Sequence, residues 1–185
     1  RECLEEAEGA PVHVVDIAAG HGRYVLEVLR DFPNASARLS DWSDAHVLAA
    51  RSGAEERKLT RVVCEQGDAF DETRLTALTP KSDIVIVSGL YELFPDNTRV
   101  LDSLRGVSRL LKPGGRLIYT NQPTHPQLEM IARVLRNREG KPWIMRRRSQ
   151  AEMDALVHST GLRKERTTVD DQGIFTVSIA RKEAA

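Results

Sequence analysis

The sequence predicts a doubly wound α/β fold, in which a mostly parallel seven-stranded sheet is covered by helices on both faces and ends in an antiparallel hairpin. Short β-branched runs alternate with segments of helical periodicity, which is typical of βαβ units. The near-continuous apolar run from Ser82 to Val87 indicates a central strand covered on both sides. The last two strand-like runs are joined only by Asp170 to Gly173, so they must be antiparallel neighbours.

The first half of the chain is predicted to contain three strands, each followed by a turn. Between the first two, the apolar residues of 23–30 lie on one helical face, and that helix ends before Pro33. Ser43 is a suitable N-cap for a second helix, which carries Val47, Leu48 and Ala50. The predicted strands of this half are 12–17, 37–40 and 62–65.

The second half is predicted to contain three helices and four strands. A helix from about Asp96 places Val100, Leu104, Val107 and Leu111 on one side. Another extends from about Pro126 to Leu135. The third has Ser149 and Glu152 at capping-box spacing and ends at Gly161. The predicted strands are 82–87, 116–120, 163–169 and 174–180.

Length and composition predict one domain, residues 1–185, and exclude several classes of function. The 27 basic and 27 acidic residues balance, so no global field attracts nucleic acid, and specific nucleic-acid binding is not expected. The apolar runs are too short for a transmembrane segment, and we predict a cytoplasmic protein. Two cysteines and five histidines without ligand spacing predict no metal site. The first residue is Arg1 rather than Met, so we expect the chain to be excised from a longer one.

The turn after the first strand is the strongest candidate for a ligand site. Asp16 ends the strand, and Ala18, Gly20 and Gly22 follow at alternate positions before the first helix. Small residues allow a ligand to approach the backbone closely. A nicotinamide site would have a third glycine where Val25 stands. Because Asp16 would repel a pyrophosphate, its position favours a ligand with an ammonium or sulfonium group.

This pattern resembles the first motif of the class I S-adenosylmethionine-dependent methyltransferases, in which an acidic residue precedes G-x-G-x-G. The chain departs from it at Ala18, which stands where the family has its first glycine. The resemblance extends over essentially the whole chain and implies a Rossmann-like methyltransferase fold. It also implies S-adenosylmethionine as cofactor and S-adenosylhomocysteine as product.

The resemblance assigns further cofactor-binding residues at successive strand ends. Asp41 follows the second strand, where the family places an acid on the ribose hydroxyls, and Asp68 follows the third, where the family contacts adenine. Each aspartate could alone be a helix cap or a turn residue. Trp42 could stack on adenine or be a half-buried aromatic that closes the sheet edge. The complete predicted set is Asp16, Ala18, Gly20, Gly22, Tyr24, Asp41, Trp42, Asp68, Ala69, Phe70 and Ser88.

Residues 87–96 and 122–127 are similar to a bacterial family of methyltransferases that is often fused behind an α/β-hydrolase domain. The resemblance therefore implies a hydrolase domain upstream but identifies no acceptor, and we expect a small-molecule or lipid-like one. Tyr91, Glu92 and His125 are the acceptor-side candidates. An exposed loop pair without a catalytic role is the more common situation for residues such as Tyr91 and Glu92, and a lone histidine between prolines, such as His125, is more often structural.

Two rival functions stay open. A nicotinamide-dependent oxidoreductase is disfavoured by Val25 and by the C-terminal hairpin, whereas a degenerate cofactor-binding or interaction module is compatible with Ala18.

The basic residues between 133 and 148 predict a solvated face, or a surface for an anionic acceptor, a membrane or an acidic partner.

Overall fold

The computed structural model describes residues 1–137 and 140–183. Within these residues seven strands form one sheet, in the order β3-β2-β1-β4-β5-β7-β6. The strands are β1 (Val12–Asp16), β2 (Ala35–Asp41), β3 (Val62–Gln66), β4 (Ser82–Val87), β5 (Leu111–Asn121), β6 (Leu162–Val169) and β7 (Thr176–Lys182). The helices are α1 (Glu2–Glu5), α2 (Arg23–Leu29), α3 (Asp44–Glu56), α4 (Glu72–Ala77), α5 (Asn97–Leu110), α6 (Leu128–Val134) and α7 (Gln150–His158).

The predicted doubly wound fold is confirmed, including the C-terminal hairpin. Strands β1 to β5 are parallel to one another, and β7 lies antiparallel between β5 and β6. Strand β6 forms an edge, and its run of charged residues 163–166 disfavours pairing with another chain.

Three local features differ from the sequence prediction. Helices α1 and α4 were not predicted, because one or two turns are too short to show a helical period. Helix α4 is instead stabilised by Asp71, whose side chain accepts a hydrogen bond from Arg74 N, and by burial of Leu75. Strand β5 begins at Leu111 rather than 116, since Leu111 already pairs with Ser82 before the turn at Gly114.

The sheet separates two apolar layers, because successive side chains of a strand point to opposite faces. One layer contains Val15 of β1 and packs against α4, α5 and α7. The other contains Val14 and packs against α1, α2 and α3. None of the helices in the described residues is long and apolar enough to cross a membrane.

The strand order places a crevice at the carboxyl end of β1. Strand β1 pairs with β2 on one side and with β4 on the other, so the connections after β1 and β4 leave the sheet on opposite faces. Ligands of doubly wound folds bind at this reversal of strand order. The turn that contains Gly20 and Gly22 lies there.

Candidate functional site

The turn after β1 needs glycine at two positions, for different reasons. Gly20 and Gly22 have φ angles of +55° and +64°, in the left-handed region. A Cβ on Gly22 would lie 2.6 Å from Leu39 Cδ1, whereas a Cβ on Gly20 would meet no atom within 4 Å. Gly22 therefore allows α2 to pack against β2, and Gly20 leaves open space above the turn.

We expect Gly22→Ala to lower the free energy of unfolding by about 2–4 kcal/mol, since it combines left-handed strain with overpacking against Leu39. Gly20→Ala is the matched control, because it introduces the strain without the overlap, and should cost about 1–2 kcal/mol. Urea unfolding followed by circular dichroism measures both. Equal losses in the two variants would show that Leu39 moves aside at no cost.

Asp16 is completely buried at the end of β1. Its carboxylate accepts hydrogen bonds from the Tyr24 hydroxyl and, at 3.3 Å, from Ala18 N. Burial, with a smaller contribution from the negative charge of Asp41, raises the pKa of Asp16 to about 7, although both hydrogen bonds favour the ionised form. The pKa of Tyr24 is also raised, by burial of its hydroxyl and by the charge of Asp16.

Tyr24 connects the two sides of the crevice. Its hydroxyl donates to Asp16, and Ser88, which directly follows β4, lies near enough to lower the pKa of Tyr24. Three predicted site residues, from β1, α2 and the end of β4, therefore lie together.

Asp41 binds the glycine turn to the start of α3. Its carboxylate accepts from Gly20 N at 2.9 Å and from Ser43 N at 2.9 Å, and lies 3.0 Å from His46 Nδ1. A carboxylate offers about four acceptor positions. About one position on Asp41 Oδ2 thus stays available for a ligand hydroxyl.

The neighbouring strand end presents Trp42 and the residues after β3. Trp42 is 62% exposed, so the alternative of a half-buried ring closing the sheet edge is wrong, and stacking on adenine stays a prediction. Asp68 accepts a hydrogen bond from Phe70 N at 2.8 Å, which is the Asx-turn geometry considered as its alternative role. Ala69 is buried beside it.

Phe70 is held by residues after β4. Its ring packs edge-on against Phe94, with centroids 4.5 Å apart, and the Arg99 guanidinium lies over both rings at 4.5 and 4.9 Å. The packing of Phe70 against Phe94 links the predicted adenine side of the site to the loop that follows β4.

Two of the three acceptor-side candidates do not form the exposed pair considered in the sequence. Residues Tyr91–Leu93 form a 3-10 turn with Tyr91 and Glu92 buried. The Tyr91 hydroxyl is hydrogen-bonded to Ser103 of α5 at 2.9 Å, which places it in the core. Glu92 is 3% exposed, and burial raises the pKa of its carboxyl. His125 Nδ1 accepts from Gln127 N at 3.2 Å, a local turn contact.

Arg148 is a structural residue of this region that sequence reasoning missed. It was predicted within a solvated basic face, but its side chain is buried. The guanidinium donates to Asn97 Oδ1 at 2.7 Å and to the carbonyls of Tyr91 at 2.7 Å and Phe94 at 2.8 Å. It therefore orders the loop after β4, and nothing in a run of three arginines distinguishes it. Arg138 of the same predicted face lies outside the described residues.

An apolar groove of about 290 Å³ lies on the α2 face of the sheet. Its lining includes Val14, Ile86, Ile118 and Val177 from four strands, and it reaches Tyr24 and Ser88. The crevice is thus continuous with an apolar surface.

The strand order, the glycine turn at the switch point and the aspartates after three successive strands define a class I methyltransferase fold. The chain belongs to the family described as "Putative methyltransferase", whose model matches residues 3–182.

The chain is also similar to curated proteins. The uncharacterized protein YnbC of Escherichia coli K12 is 54% identical over 177 residues, which are 94% of this chain and 30% of YnbC. The chain spans less than a third of the curated relatives it matches. The upstream hydrolase domain stays a prediction.

Two solved structures show the same fold. A SAM-dependent methyltransferase of Methanosarcina mazei has a TM-score of 0.74 at 17% identity, with 95% of this chain and 94% of that one covered. Magnesium protoporphyrin IX methyltransferase of Synechocystis PCC 6803, solved with bound SAH, has a TM-score of 0.75 at 17% identity, with 97% and 78% covered.

Proposed function

We propose that the chain binds S-adenosylmethionine in the crevice after β1 and transfers its methyl group to a small-molecule or lipid-like acceptor. The observation that carries the proposal is the pair of carboxylates around the glycine turn. Asp16 is buried beneath it, and Asp41 holds Gly20 N from the side. Family membership and the fold support the same reaction class.

The residues fit the cofactor in shape and in charge. The open space above Gly20 allows a ligand to lie against the backbone, and the free acceptor position of Asp41 suits a ribose hydroxyl. Asp16 can balance a cationic group, and Asp68 with Phe70 provides a polar and apolar boundary for adenine. Ala18 still donates its N–H to Asp16, so the methyl that distinguishes it from glycine leaves this hydrogen bond intact.

The bound cofactor supplies an electrophilic methyl group with a good leaving group, so the protein must chiefly position it and exclude water. Asp41 and the glycine turn orient one end of the bound cofactor. Asp16 and Tyr24, with Ser88 beside them, orient the other end, next to the apolar groove. The groove favours an acceptor with an apolar portion.

A cofactor-binding module without turnover is the second candidate function. It is favoured by the burial of Tyr91 and Glu92, which removes two predicted acceptor-side groups from the surface of the cleft. A nicotinamide enzyme has less support, because the buried Asp16 would repel a pyrophosphate.

Calorimetry separates these functions. We expect S-adenosylmethionine and S-adenosylhomocysteine to bind and NAD not to bind. Labelled methyl transfer to small molecules and lipids of a cell extract then tests turnover. Binding of NAD without binding of S-adenosylhomocysteine would overturn the proposal, and cofactor binding without transfer to any component of the extract would favour the binding module.

A further inference from the structure

Residues 124–147 connect β5 to α7, and we call them the α6 segment. Among its described residues, 124–137 and 140–147, none is buried. Helix α6 itself buries no side chain. Such a segment has little apolar packing to hold it against the domain.

The α6 segment exposes large apolar side chains instead. Of the ten large hydrophobic residues that are exposed in the described chain, four lie here: Met130, Val134, Leu135 and Ile144. Val134 and Ile144 are the most exposed of them, at 68% and 64%. Four exposed apolar residues so close in the chain indicate a docking surface rather than scattered surface residues.

Local geometry brings these residues together. Met130 and Val134 are four positions apart on α6 and therefore share a face. After α6 the chain forms a small hairpin, in which Arg136 pairs with Pro142 and Trp143 N donates to Leu135 O at 3.1 Å. This pairing places Leu135 beside Trp143 and Ile144, next to the end of the helix.

The charge of the α6 segment is opposite to that of the remaining chain. Residues 124–147 contain six basic residues and two acidic ones, although the whole sequence is neutral with 27 of each. The segment thus has a formal charge of +4, and all other residues together have −4. The basic members are Arg133, Arg136, Arg138, Lys141, Arg146 and Arg147.

We propose that the α6 segment docks on an anionic phospholipid bilayer. Exposed apolar side chains, a tryptophan and excess Lys and Arg together are what an interfacial segment needs, because the apolar groups insert and the cations pair with lipid phosphates. Docking requires no spanning helix. It is independent of methyl transfer, so it can be tested whether or not the proposed function holds.

The attachment of the segment places the candidate site near such a surface. Arg146 N donates to Glu92 O at 3.1 Å, and the Arg146 guanidinium donates to Pro95 O at 2.8 Å. The base of the α6 segment is therefore bound to the loop after β4.

Co-sedimentation of the whole chain with vesicles tests the docking. We expect binding to vesicles of phosphatidylcholine mixed with phosphatidylglycerol, binding about tenfold weaker to phosphatidylcholine alone, and loss of binding at high salt. The double variant Val134→Glu/Ile144→Glu should weaken binding to the mixed vesicles by at least about tenfold.

Leu48→Glu is the matched control, since Leu48 is 59% exposed on α3, outside the segment, and the change in charge per site is the same. It should retain binding, and circular dichroism should show native helix content in every variant. Absence of binding to the mixed vesicles, equal binding to both kinds of vesicle, or equal loss in the Leu48 control would overturn the proposal. Capture of an acidic protein in place of vesicles would also overturn it.

Discussion

The affinity of the chain for S-adenosylmethionine is expected to fall about tenfold for each pH unit below about 7, because a neutral Asp16 cannot balance the positive charge of the ligand. Burial holds the pKa of Asp16 near 7 in the free protein. A bound cation favours the ionised carboxylate. Binding therefore shifts Asp16 to its ionised form and releases a proton. Affinity is therefore full above pH 7 and is lost as the pH falls through the pKa of Asp16.

Calorimetry across this pH range, in buffers of different ionisation enthalpy, measures both the affinity and the proton release. Asp16→Asn should bind weakly at every pH and show no dependence. Tyr24→Phe should move the midpoint to higher pH, since the Tyr24 hydroxyl lowers the pKa of Asp16. His46→Ala is the control for the other nearby titratable group, which contacts Asp41. A pH profile that disappears in His46→Ala and persists in Asp16→Asn would contradict the assignment.

Removal of the Asp41 carboxylate should weaken cofactor binding by about 1.5–3 kcal/mol, the range of hydrogen bonds to a charged acceptor. Asp41→Ala removes the proposed ribose acceptor and also frees the N–H groups of Gly20 and Ser43, which it holds at 2.9 Å. The expected loss is about ten- to 150-fold in Kd at pH 8, measured by calorimetry with S-adenosylhomocysteine.

Two further variants separate the ribose contact from the structure of the turn. Asp41→Asn keeps one oxygen, but its amide N–H group must face Gly20 N or Ser43 N, so it should lose affinity as well. His46→Ala removes only the imidazole and should keep affinity. Full affinity of a folded Asp41→Ala protein would exclude Asp41 from the ribose site.

The sequence by itself determined the order of elements and the position of the site along the chain. Each parallel strand has a local apolar signature, and the longer helices have a 3.6-residue period, so these elements can be predicted without reference to distant residues. Helix α4 is too short to show such a period. The same holds for Asp16, Asp41 and Asp68, because residues that follow parallel strands must lie at one edge of the sheet. The strand pattern predicted these positions at strand ends, and the resemblance to the methyltransferases implied their roles.

Tertiary structure decided what surrounds these residues. The hairpin could have joined β5 through either strand, and β7 takes the central place because its alternate residues are buried, whereas β6 carries Arg163 and Lys164 at an edge. Arg148 and Glu92 sit in sequences typical of exposed loops, yet both are buried by contacts between segments more than fifty residues apart. Such contacts leave no local periodicity.

The pKa of Asp16 also combines a local property of the sequence with an effect of tertiary packing. Its place at a strand end is a local property, but a pKa of about 7 results from complete burial, with a smaller contribution from the charge of Asp41. Both arise only when β1 is enclosed between β2 and β4. Local sequence thus selects which side chain ends the strand, and packing of distant segments sets its desolvation, since the removal of water depends on every neighbour in space.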